Sequence, residues 1–396
     1  MKKWFFLLFF FGFLVLFLIQ VFDVSYLFHG LRCTYLRGEK SAQIDDHRFF
    51  YNDTVFASKK QPIPFSSDFS SHFKNGDLER VLEKSKSVAF LVVKNDSLYF
   101  EKYWNGIGKN SLTNSFSVAK SITSLLVGCA IRDGFISSVE QSVSDFIPEL
   151  GFYENIDALK IKHLLEMSSG LDWLENYKRP ISVTAEAYYG TELEKLILDQ
   201  HFIRPPGSIY NYQSGNTQIL GLLLERAVGE KISSYASKAL WCKSGAENNA
   251  LWTLDYNGGL AKTFCCFNST ARDFAKIGLL MLNQGRLNGN VIIEEDYVDW
   301  LLSKPILVDG DKKFGRLGKN VDYYSNSWWT AVVLGREVFY ARGFLGQYIV
   351  VIPDINVVFV RLGKKENAKS SKKNEYMLTD NLKFFIESVI EEYSTK

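Results

Sequence analysis

Two parts of the chain are rich in the β-branched and aromatic residues that are typical of strands. The first, SVAFLVVKNDSLYFEKYW over 87–104, contains two such runs on either side of Asn95-Asp96, a dipeptide that suits a hairpin turn. The second contains three runs near the other end of the chain, REVFYARG over 336–343, GQYIVVIP over 346–353 and NVVFVRLG over 356–363. These runs predict a hairpin and, much later, three consecutive strands.

Most of the sequence between these strands has apolar residues at helical spacing. The first such pattern runs over 118–129, with Arg132 in the last turn and Gly134 as the expected C-cap. Further helices are expected over 159–170, 192–202, 216–229 and 271–285, with a final amphipathic helix over about 375–393. This order predicts an α+β fold, in which an antiparallel sheet built from both chain ends is flanked by helices beside an all-helical lobe.

The first segment, MKKWFFLLFFFGFLVLFLIQVF, has the highest density of apolar residues. Its nineteen residues from Trp4 to Phe22 would form a helix of roughly 28 Å, close to the ~30 Å hydrocarbon core of a bilayer. No good cleavage site follows, so an uncleaved anchor is favoured over a cleaved signal segment. The sequence therefore predicts an N-terminal transmembrane helix over 4–22 that anchors an extracytoplasmic, periplasmic domain in the inner membrane, or alternatively secretion after cleavage.

These patterns divide the chain into three regions. The predicted regions are a membrane anchor or signal segment over 1–22, a polar stalk and lead-in over 23–84, and the main domain over 85–396. Within the main domain the sheet is expected from 85–110 and 325–396, and the helical lobe from about 135–300.

Charge and metal-ligand spacing argue against two kinds of function. The 396 residues carry a net charge of +2, which gives no support for nucleic-acid binding. The five cysteines and five histidines show neither C-x-x-C nor H-x-x-x-H spacing, so no metal site is expected. Cys129 lies on an apolar helical stripe and is expected in the core.

The stretch SFSVAKSI over 115–122 places Ser117 three residues before Lys120, at the start of the first predicted helix. Residues i and i+3 share a helix face, so the lysine amine can reach the serine hydroxyl. A buried, neutral lysine can take the proton whose loss makes a serine nucleophilic. The backbone N–H of Ser117 at a helix N-terminus can also stabilise an oxyanion. The pair is thus a candidate nucleophile and base.

Ser-x-x-Lys spacing alone is weak evidence, because it occurs three times in this chain. One copy, Ser71 with Lys74, lies in the polar lead-in, and another, Ser370 with Lys373, lies in a lysine-rich loop. The Ser117 copy is the one that opens an apolar helix directly after a hairpin.

Tyr212 is a further candidate, in RPPGSIYNYQSGNTQILG over 204–221. It precedes a helix whose start Ser214 or Asn216 is expected to cap. A phenol held there near a lysine can ionise or relay a proton. The alternative is a tyrosine whose ring simply packs at the entry of the helix.

Glycines interrupt the strand pattern in YARGFLGQYIVVIP over 340–353, at Gly343 and Gly346. A glycine within a strand often marks the close approach of another backbone or of a ligand. The backbone N–H of Phe344 is therefore a candidate second oxyanion donor. A bulge between two strands is the alternative.

These three stretches together resemble the serine β-lactamase and penicillin-binding-protein superfamily. The closer resemblance is to its class C β-lactamase, esterase and 6-aminohexanoate-dimer hydrolase branch, and it covers about 87–390. Three more stretches carry it, HLLEMSSGLDW over 163–173, NGGLAKTFCCFNSTARDFAKIGLLMLNQG over 257–285 and ARGFLGQYIVVIPDINVVFVRLG over 341–363. Several motifs in this order are far more specific than any one of them.

The resemblance implies roles for the candidate residues. It implies that Ser117 is the acyl-forming nucleophile, that Lys120 is its base, and that Tyr212 shuttles a proton to the leaving group. The N–H groups of Ser117 and Phe344 would form the oxyanion hole. In the 257–285 stretch, Asn268 and Arg272 are expected to serve capping and a structural ion pair.

The chain departs from the family pattern at two motifs. The usual Tyr-x-Asn appears as Tyr212-Gln213-Ser214, and the usual Lys-Thr-Gly or His-x-Gly appears as Ala341-Arg342-Gly343. The first change replaces an amide by a hydroxyl, and the second puts alanine where a cation would meet a substrate carboxylate. Lys243-Ser244-Gly245 mimics the missing motif without a strand before it. Both changes weaken the case for penicillin hydrolysis.

The sequence therefore predicts a serine hydrolase that forms an acyl-enzyme, needs no cofactor or metal, and cleaves an ester or amide bond in a small or short peptide-like substrate. Its expected substrate-binding residues are Ser214, Gly343, Trp173 and Tyr177, with ordinary aromatic packing as the alternative for the last two. The alternatives are a β-lactamase or D-alanyl-D-alanine peptidase, and a catalytically inactive protein that binds cell-wall peptides. No G-x-S-x-G elbow of an α/β-hydrolase occurs.

Overall fold

Strands from both ends of the chain meet in one sheet. The computed structural model describes residues 24–70, 72–73, 76–150, 156–310, 318–366 and 378–394, together with residues 4, 9–10 and 12–13. Within these residues the strands are β1 Asn52–Val55, β2 Phe65–Ser70, β3 Ser87–Lys94, β4 Ser97–Tyr103, β5 Thr113–Asn114, β6 Ile209–Tyr210, β7 Ala250–Thr253, β8 Phe267–Ser269, β9 Arg286–Leu287, β10 Asn290–Val291, β11 Val308–Asp309, β12 Tyr324–Ser325, β13 Trp328–Val333, β14 Arg336–Gly343, β15 Gln347–Ile352 and β16 Val357–Gly363.

The α-helices lie mostly between the two groups of long strands. In the same described residues they are α1 Tyr26–Cys33, α2 Gly76–Lys84, α3 Val118–Arg132, α4 Ile161–Leu165, α5 Val183–Tyr189, α6 Leu193–Leu198, α7 Ser214–Val228, α8 Ile232–Ala236, α9 Ala271–Leu282, α10 Glu295–Leu302 and α11 Asp380–Tyr393. A π-helical turn over Ser237–Trp241 continues α8.

The main sheet has eight strands in the order β12-β13-β14-β15-β16-β3-β4-β2. Its central pair joins distant parts of the chain, with Leu91 of β3 opposite Val360 of β16. All residues of β3 and β16 are buried, because helices cover both faces of the sheet. Helix α9 packs on one face of β15 and β16, while α2 and α11 share the core of the other face. Strands from both chain ends thus form one sheet flanked by helices, as predicted, but the region 135–300 is not the all-helical lobe that was predicted, because it also contains strands β6 to β10.

The predicted hairpin and the three late strands are confirmed. Asn95 and Asp96 connect β3 to β4 with φ angles of 46° and 58°, the left-handed pair that a type I′ turn requires. Strand β14 has the predicted bounds, and β15 and β16 each begin one residue later than predicted. One pair differs from the expected antiparallel pattern, since β2 runs parallel to β4 at the edge of the sheet.

The helix predicted over 159–170 is shorter in the structure and ends at Leu165. Met167 has a φ angle of 61°, a left-handed conformation in which an α-helix cannot continue. At Gly170, whose φ angle is 80°, a Cβ atom would collide with the backbone carbonyl of Arg204. The chain therefore changes direction after α4, and the residues from Leu171 onwards lead to the candidate site.

The region 23–84, predicted as stalk and lead-in, packs against the rest of the structure. Strand β1 pairs with β7 in a four-stranded sheet, in the register that puts Val55 opposite Ala250. Strand β2 joins the main sheet, and Leu78 and Leu82 of α2 are fully buried. The lead-in therefore contributes to the core. Its predicted boundaries stay a prediction.

The transmembrane helix predicted over 4–22 is the part of the fold that is wrong. Among the described residues, no helix is both long enough and apolar enough to cross a bilayer. The longest of them, α3 and α7, have 15 residues each, about 22 Å against a hydrocarbon core of ~30 Å. Apart from residues 4, 9–10 and 12–13, the predicted span lies outside the described residues. The membrane contact and the inner-membrane, periplasmic localisation predicted from it are therefore withdrawn, and secretion remains untested.

Candidate active site

Ser117 lies at a tight turn that presents its hydroxyl at the start of the buried helix α3. It is the N-cap residue of α3, and Phe116 before it has a φ angle of 46°, which is uncommon for a residue with a side chain. Two hydrogen bonds hold this turn, from the N–H of Phe116 to Asn114 Oδ1 at 2.8 Å and from the N–H of Ser115 to the carbonyl of Phe267 at 3.0 Å. The backbone thus fixes the position of Ser117.

Lys120 points its amine back towards Ser117 from one turn along α3. The Nζ atom lies 3.1 Å from Ser117 Oγ, 3.1 Å from Ser214 Oγ and 2.8 Å from the carbonyl oxygen of Phe264. The side chain is 2% exposed. Burial lowers the pKa of Lys120 to about 8, against the opposing effect of the Glu175 carboxylate, which raises it. About a tenth of this amine is therefore neutral at pH 7 and about half of it near pH 8, where it is able to take a proton.

Tyr212 completes a cluster of three functional groups. Its ring centroid lies 5.2 Å from Lys120 Nζ, and the Ser117 hydroxyl lowers the pKa of its phenol against the larger, opposite effect of burial. Rings of Tyr324 and Trp329 pack against it at 6.1 and 5.6 Å and fix its orientation. Burial raises the pKa of Tyr212 above its ordinary value of 10, so the resting phenol keeps its proton. The structure brings together the three residues that the sequence proposed as nucleophile, base and proton shuttle.

Glu175 is a component of this site that the sequence did not predict. Its Oε1 accepts a hydrogen bond from the Ser214 hydroxyl at 2.8 Å, and its Oε2 accepts from the Ser214 N–H at 2.7 Å and from Trp173 Nε1 at 2.8 Å. A glutamate in a polar loop gives no pattern that would distinguish it from a surface residue. Its position depends on the packing of Trp173.

Ser214, which the sequence assigned to substrate binding, lies behind the reacting groups. The residue is buried, and its hydroxyl joins the amine of Lys120 to the carboxylate of Glu175. This geometry supports a role in orienting Lys120. Direct contact with a substrate stays a prediction.

The two aromatic candidates Trp173 and Tyr177 occupy different depths. Trp173 is buried against the start of α7, where a Cβ atom on Gly215 would lie 2.7 Å from its ring. Tyr177 is 52% exposed, and its ring stacks on that of Phe344 with centroids 6.3 Å apart. Burial of its phenol group and the nearby Glu175 carboxylate raise the pKa of Tyr177 well above the ordinary value of 10. Tyr177 therefore lies on the solvent side of the cluster, and Trp173 packs on its buried side.

Strand β14 approaches the serine turn closely at Gly343. A Cβ atom at this position would collide with the carbonyl oxygen of Ser115 and lie 3.1 Å from the side chain of Gln347. The next residue, Phe344, packs its ring edge against the ring of Phe116 at 5.5 Å. The end of β14 and the turn before Ser117 are thus in contact, as an oxyanion hole built from both would require.

Arg361 and Gln347 hold the turn that follows Gly343. The buried Arg361 guanidinium donates to the carbonyls of Leu345 at 2.8 Å and Gly346 at 2.6 Å, and Gln347 Nε2 donates to the carbonyl of Phe344 at 3.0 Å. Burial lowers the pKa of Arg361 to about 9. The sequence did not single out either residue, because both lie inside strand patterns that predict packing alone.

Two other motif-like stretches have structural roles. The buried Ser244, in the Lys-Ser-Gly that mimics the family motif, donates its hydroxyl to the carbonyl of Trp241 at 2.9 Å. Arg272 forms the expected ion pair, with Glu101 at 2.6 Å. Asn268 Nδ2 donates to the carbonyl of Cys266 at 2.8 Å.

Comparison with known proteins adds to this geometry. The model of the Beta-lactamase family matches residues 77–381. A 6-aminohexanoate-dimer hydrolase from Paenarthrobacter ureafaciens is 30% identical over 240 residues, which cover 57% of this chain. The match spans 60% of the length of that relative, less than two thirds.

Two solved structures share the fold. A protein from Bacillus anthracis, named as a candidate 6-aminohexanoate-dimer hydrolase, superposes with a TM-score of 0.69 at 21% identity, over 88% of this chain and 92% of its own. A protein from Bacteroides dorei DSM 17855, named as a candidate β-lactamase, gives a TM-score of 0.65 at 17% identity, over 82% and 100% of the two chains. At these identities the likeness concerns the fold alone.

Proposed function

Because the chain belongs to the Beta-lactamase family, whose fold is that of a group of hydrolases, we propose that it is a serine hydrolase that works through an acyl-enzyme on Ser117. The observation that carries the proposal is the distance of 3.1 Å between Ser117 Oγ and the Nζ atom of a lysine that is almost completely buried. A buried amine beside a serine at the N-cap position of a helix has the position and the lowered pKa that a general base needs.

Acylation begins when neutral Lys120 takes the proton of the Ser117 hydroxyl. The oxygen attacks the substrate carbonyl carbon, and the carbonyl π electrons move to oxygen, which gives a tetrahedral oxyanion. The N–H groups of Ser117 and Phe344 are the donors proposed for that charge. The oxyanion then re-forms the carbonyl, and the bond from the acyl carbon to the leaving oxygen or nitrogen breaks while the phenol of Tyr212 protonates that atom. The Lys120 ammonium returns a proton to Tyr212, and the acyl-enzyme remains on Ser117.

Deacylation runs through the same groups in the opposite order. A water molecule loses its proton to the Lys120–Tyr212 pair as it attacks the acyl carbon. The tetrahedral species collapses, releases the carboxylic acid and leaves Ser117 Oγ, which regains a proton from the same pair. Tyr212 therefore takes part in both halves of the reaction.

We infer a small, linear ester or amide as the substrate. Ala341 supplies no cation for the carboxylate that a penicillin carries, and the stacked rings of Tyr177 and Phe344 offer an apolar wall to an acyl chain. The name of the Paenarthrobacter ureafaciens relative, 6-aminohexanoate-dimer hydrolase, agrees with this choice. Ser214, Gly343, Trp173 and Tyr177 remain the proposed substrate-binding set.

Mass spectrometry of the purified protein with nitrophenyl esters and a serine-directed phosphonate tests the proposal. We expect a covalent adduct on Ser117, no adduct and no ester hydrolysis in Ser117→Ala, and accumulated acyl-enzyme in Tyr212→Phe because deacylation slows. Ser244→Ala, which removes the serine of the mimicking motif, serves as the matched control and should still form the adduct.

Unchanged hydrolysis in Ser117→Ala would refute the mechanism. Faster turnover of a chromogenic cephalosporin than of the esters would instead favour a β-lactamase or peptidase. Failure of every acylating probe, with retained binding of peptidoglycan, would favour an inactive binding protein.

A further inference from the structure

A disulfide joins two adjacent residues, Cys265 and Cys266, beside the candidate active site. Both residues are buried, at 4% and 2% exposure. Cys266 has a φ angle of 68°, in the left-handed region that residues with a side chain rarely adopt. The other three cysteines, Cys33, Cys129 and Cys242, are free thiols. This bond was not predicted from the sequence, since a disulfide between neighbouring residues closes no loop of chain.

The disulfide lies between two backbone carbonyls that hold the serine turn and its base. On one side, the carbonyl of Phe264 accepts the hydrogen bond from Lys120 Nζ at 2.8 Å. On the other side, the carbonyl of Phe267 accepts the hydrogen bond from the N–H of Ser115 at 3.0 Å. The segment 264–267 thus holds both Ser115 and Lys120 near the start of α3. Cys265 and Cys266 are the two central residues of this segment.

Neighbouring residues fix the rest of this segment. The carbonyl of Cys266 accepts from the N–H of Thr253 at 3.1 Å, and the N–H of Cys265 donates to the carbonyl of Lys262 at 3.1 Å. A bond between adjacent sulfur atoms closes a small ring that contains the connecting peptide, so it restricts the backbone torsions on both sides of that peptide. These torsions, ψ of Cys265 and φ of Cys266, set where the Phe264 peptide lies relative to the Phe267 peptide, so the ring limits how far the two carbonyls can move apart.

We propose that the Cys265–Cys266 disulfide is a positioning element of the hydrolytic site, which holds the Phe264 carbonyl against Lys120, and that its reduction slows hydrolysis. The inference rests on the proposed function. A dithiol such as dithiothreitol is the reductant: one thiolate attacks a cysteine sulfur, and the second displaces it from the mixed disulfide. Two electrons and two protons then reside on Cys265 and Cys266, and the reductant leaves as its cyclic disulfide.

Thiol counting establishes the starting state. Denatured protein that has not been reduced should take up three alkyl groups from iodoacetamide, and reduced protein should take up five, in line with three free and two bonded cysteines. Five groups without reductant would overturn the inference at once.

Kinetics with a nitrophenyl ester give the second measurement. We expect reduction of the folded wild-type enzyme, and the double variant Cys265→Ser with Cys266→Ser, to lower kcat/KM by about tenfold or more. Loss of the Phe264 acceptor should also move the acidic limb of the pH profile to lower pH, because that carbonyl stabilises the ammonium form of Lys120. The other groups around the amine, Ser117, Ser214, Tyr212 and the Glu175 carboxylate, are unchanged in this comparison.

The shift of the pH profile distinguishes a positioning role of the disulfide from a purely structural one. If the role were purely structural, loss of the disulfide would lower the melting temperature and leave the acidic limb of the profile unchanged. Cys242→Ser is the matched control and should keep wild-type activity and wild-type sensitivity to reductant.

If the double variant does not fold, the comparison of reduced with reoxidised wild-type protein is sufficient to test the inference. Unchanged kcat/KM and pH profile after complete reduction would refute the inference. If Ser117→Ala retains activity, the proposed function itself fails, whatever the cysteines do.

Discussion

The Ser214 hydroxyl donates a hydrogen bond to the Glu175 carboxylate, with 2.8 Å between the two oxygen atoms. The same hydroxyl lies 3.1 Å from Lys120 Nζ, so one side chain connects the carboxylate to the proposed base. The negative charge of Glu175 favours the ammonium form of Lys120, whereas burial favours the neutral amine. In the proposed mechanism, the balance between these two effects sets the pH at which Lys120 can act as a base.

The activity of the wild-type enzyme should rise with pH through about 8. Lys120 must be neutral to accept the Ser117 proton, and burial lowers its pKa to about 8. Below that pH the protonated fraction grows and kcat/KM falls about tenfold per pH unit. The pKa of Tyr212 is raised above its usual value, so its phenol does not ionise in this range. A pH–rate profile with a nitrophenyl ester measures the limb, and a profile that is flat from pH 6 to 9 would contradict this account of the base.

Glu175→Gln should move this acidic limb to lower pH. The substitution removes a charge that raises the pKa of Lys120 and keeps the shape of the side chain. We also expect kcat/KM on the plateau to fall about tenfold, because the amide cannot accept from both the Ser214 N–H and its hydroxyl as the carboxylate does. Glu140→Gln, which breaks an ion pair with Lys162 at the surface, is the control and should leave the profile unchanged. An unshifted limb in Glu175→Gln would remove Glu175 from the mechanism.

Gly343→Ala should lower kcat/KM by about a hundredfold. The new methyl group would collide with the Ser115 carbonyl, so the serine turn and strand β14 must separate. A misplacement of this size at a reacting group typically has an effect of that order. Gly108→Ala, where a Cβ atom would meet nothing within 4 Å, is the control. Wild-type kinetics in Gly343→Ala would show that this contact does not set the geometry of the site.

Arg361→Met should reduce both stability and turnover. The substitution leaves the buried carbonyls of Leu345 and Gly346 without their donor, at a cost of about 1–3 kcal/mol in the free energy of unfolding. We expect kcat to fall further than KM rises, because the Phe344 N–H would no longer be aimed at the oxyanion. Denaturant unfolding and steady-state kinetics measure the two effects. The surface variant Arg336→Met, which loses an ion pair with Asp354, should change unfolding by less than about 1 kcal/mol.

The sheet was predictable because its strands are apolar on both faces. Runs such as VAFLVV and YIVV have no other way to bury their side chains than between layers of helices. Helix ends were less predictable, since the end of α4 depends on the left-handed conformation of Met167, which local spacing does not reveal. The parallel edge strand β2 was missed because its residues are mostly exposed and follow no apolar pattern.

The contact between Ser117 and Lys120 was predictable because the two residues are neighbours in sequence. Ser117 and Lys120 share one helix turn, so their spacing alone brings them into contact, and the matching family model confirms the superfamily resemblance. Glu175 and Arg361 act through long-range packing, which no single stretch of sequence encodes. The disulfide between Cys265 and Cys266 was not predictable either, because two adjacent cysteines in a sequence do not indicate that they bond to each other.

The pairing of β3 with β16 has a consequence for the growing chain on the ribosome. Strands β3 and β4 emerge early and form their hairpin, but the other neighbour of β3, strand β16, is made only after helices α3 to α10. Until then β3 presents an open, apolar edge of the kind that pairs with other chains. Premature termination of translation before Val357 would therefore leave an aggregation-prone fragment rather than a smaller folded protein.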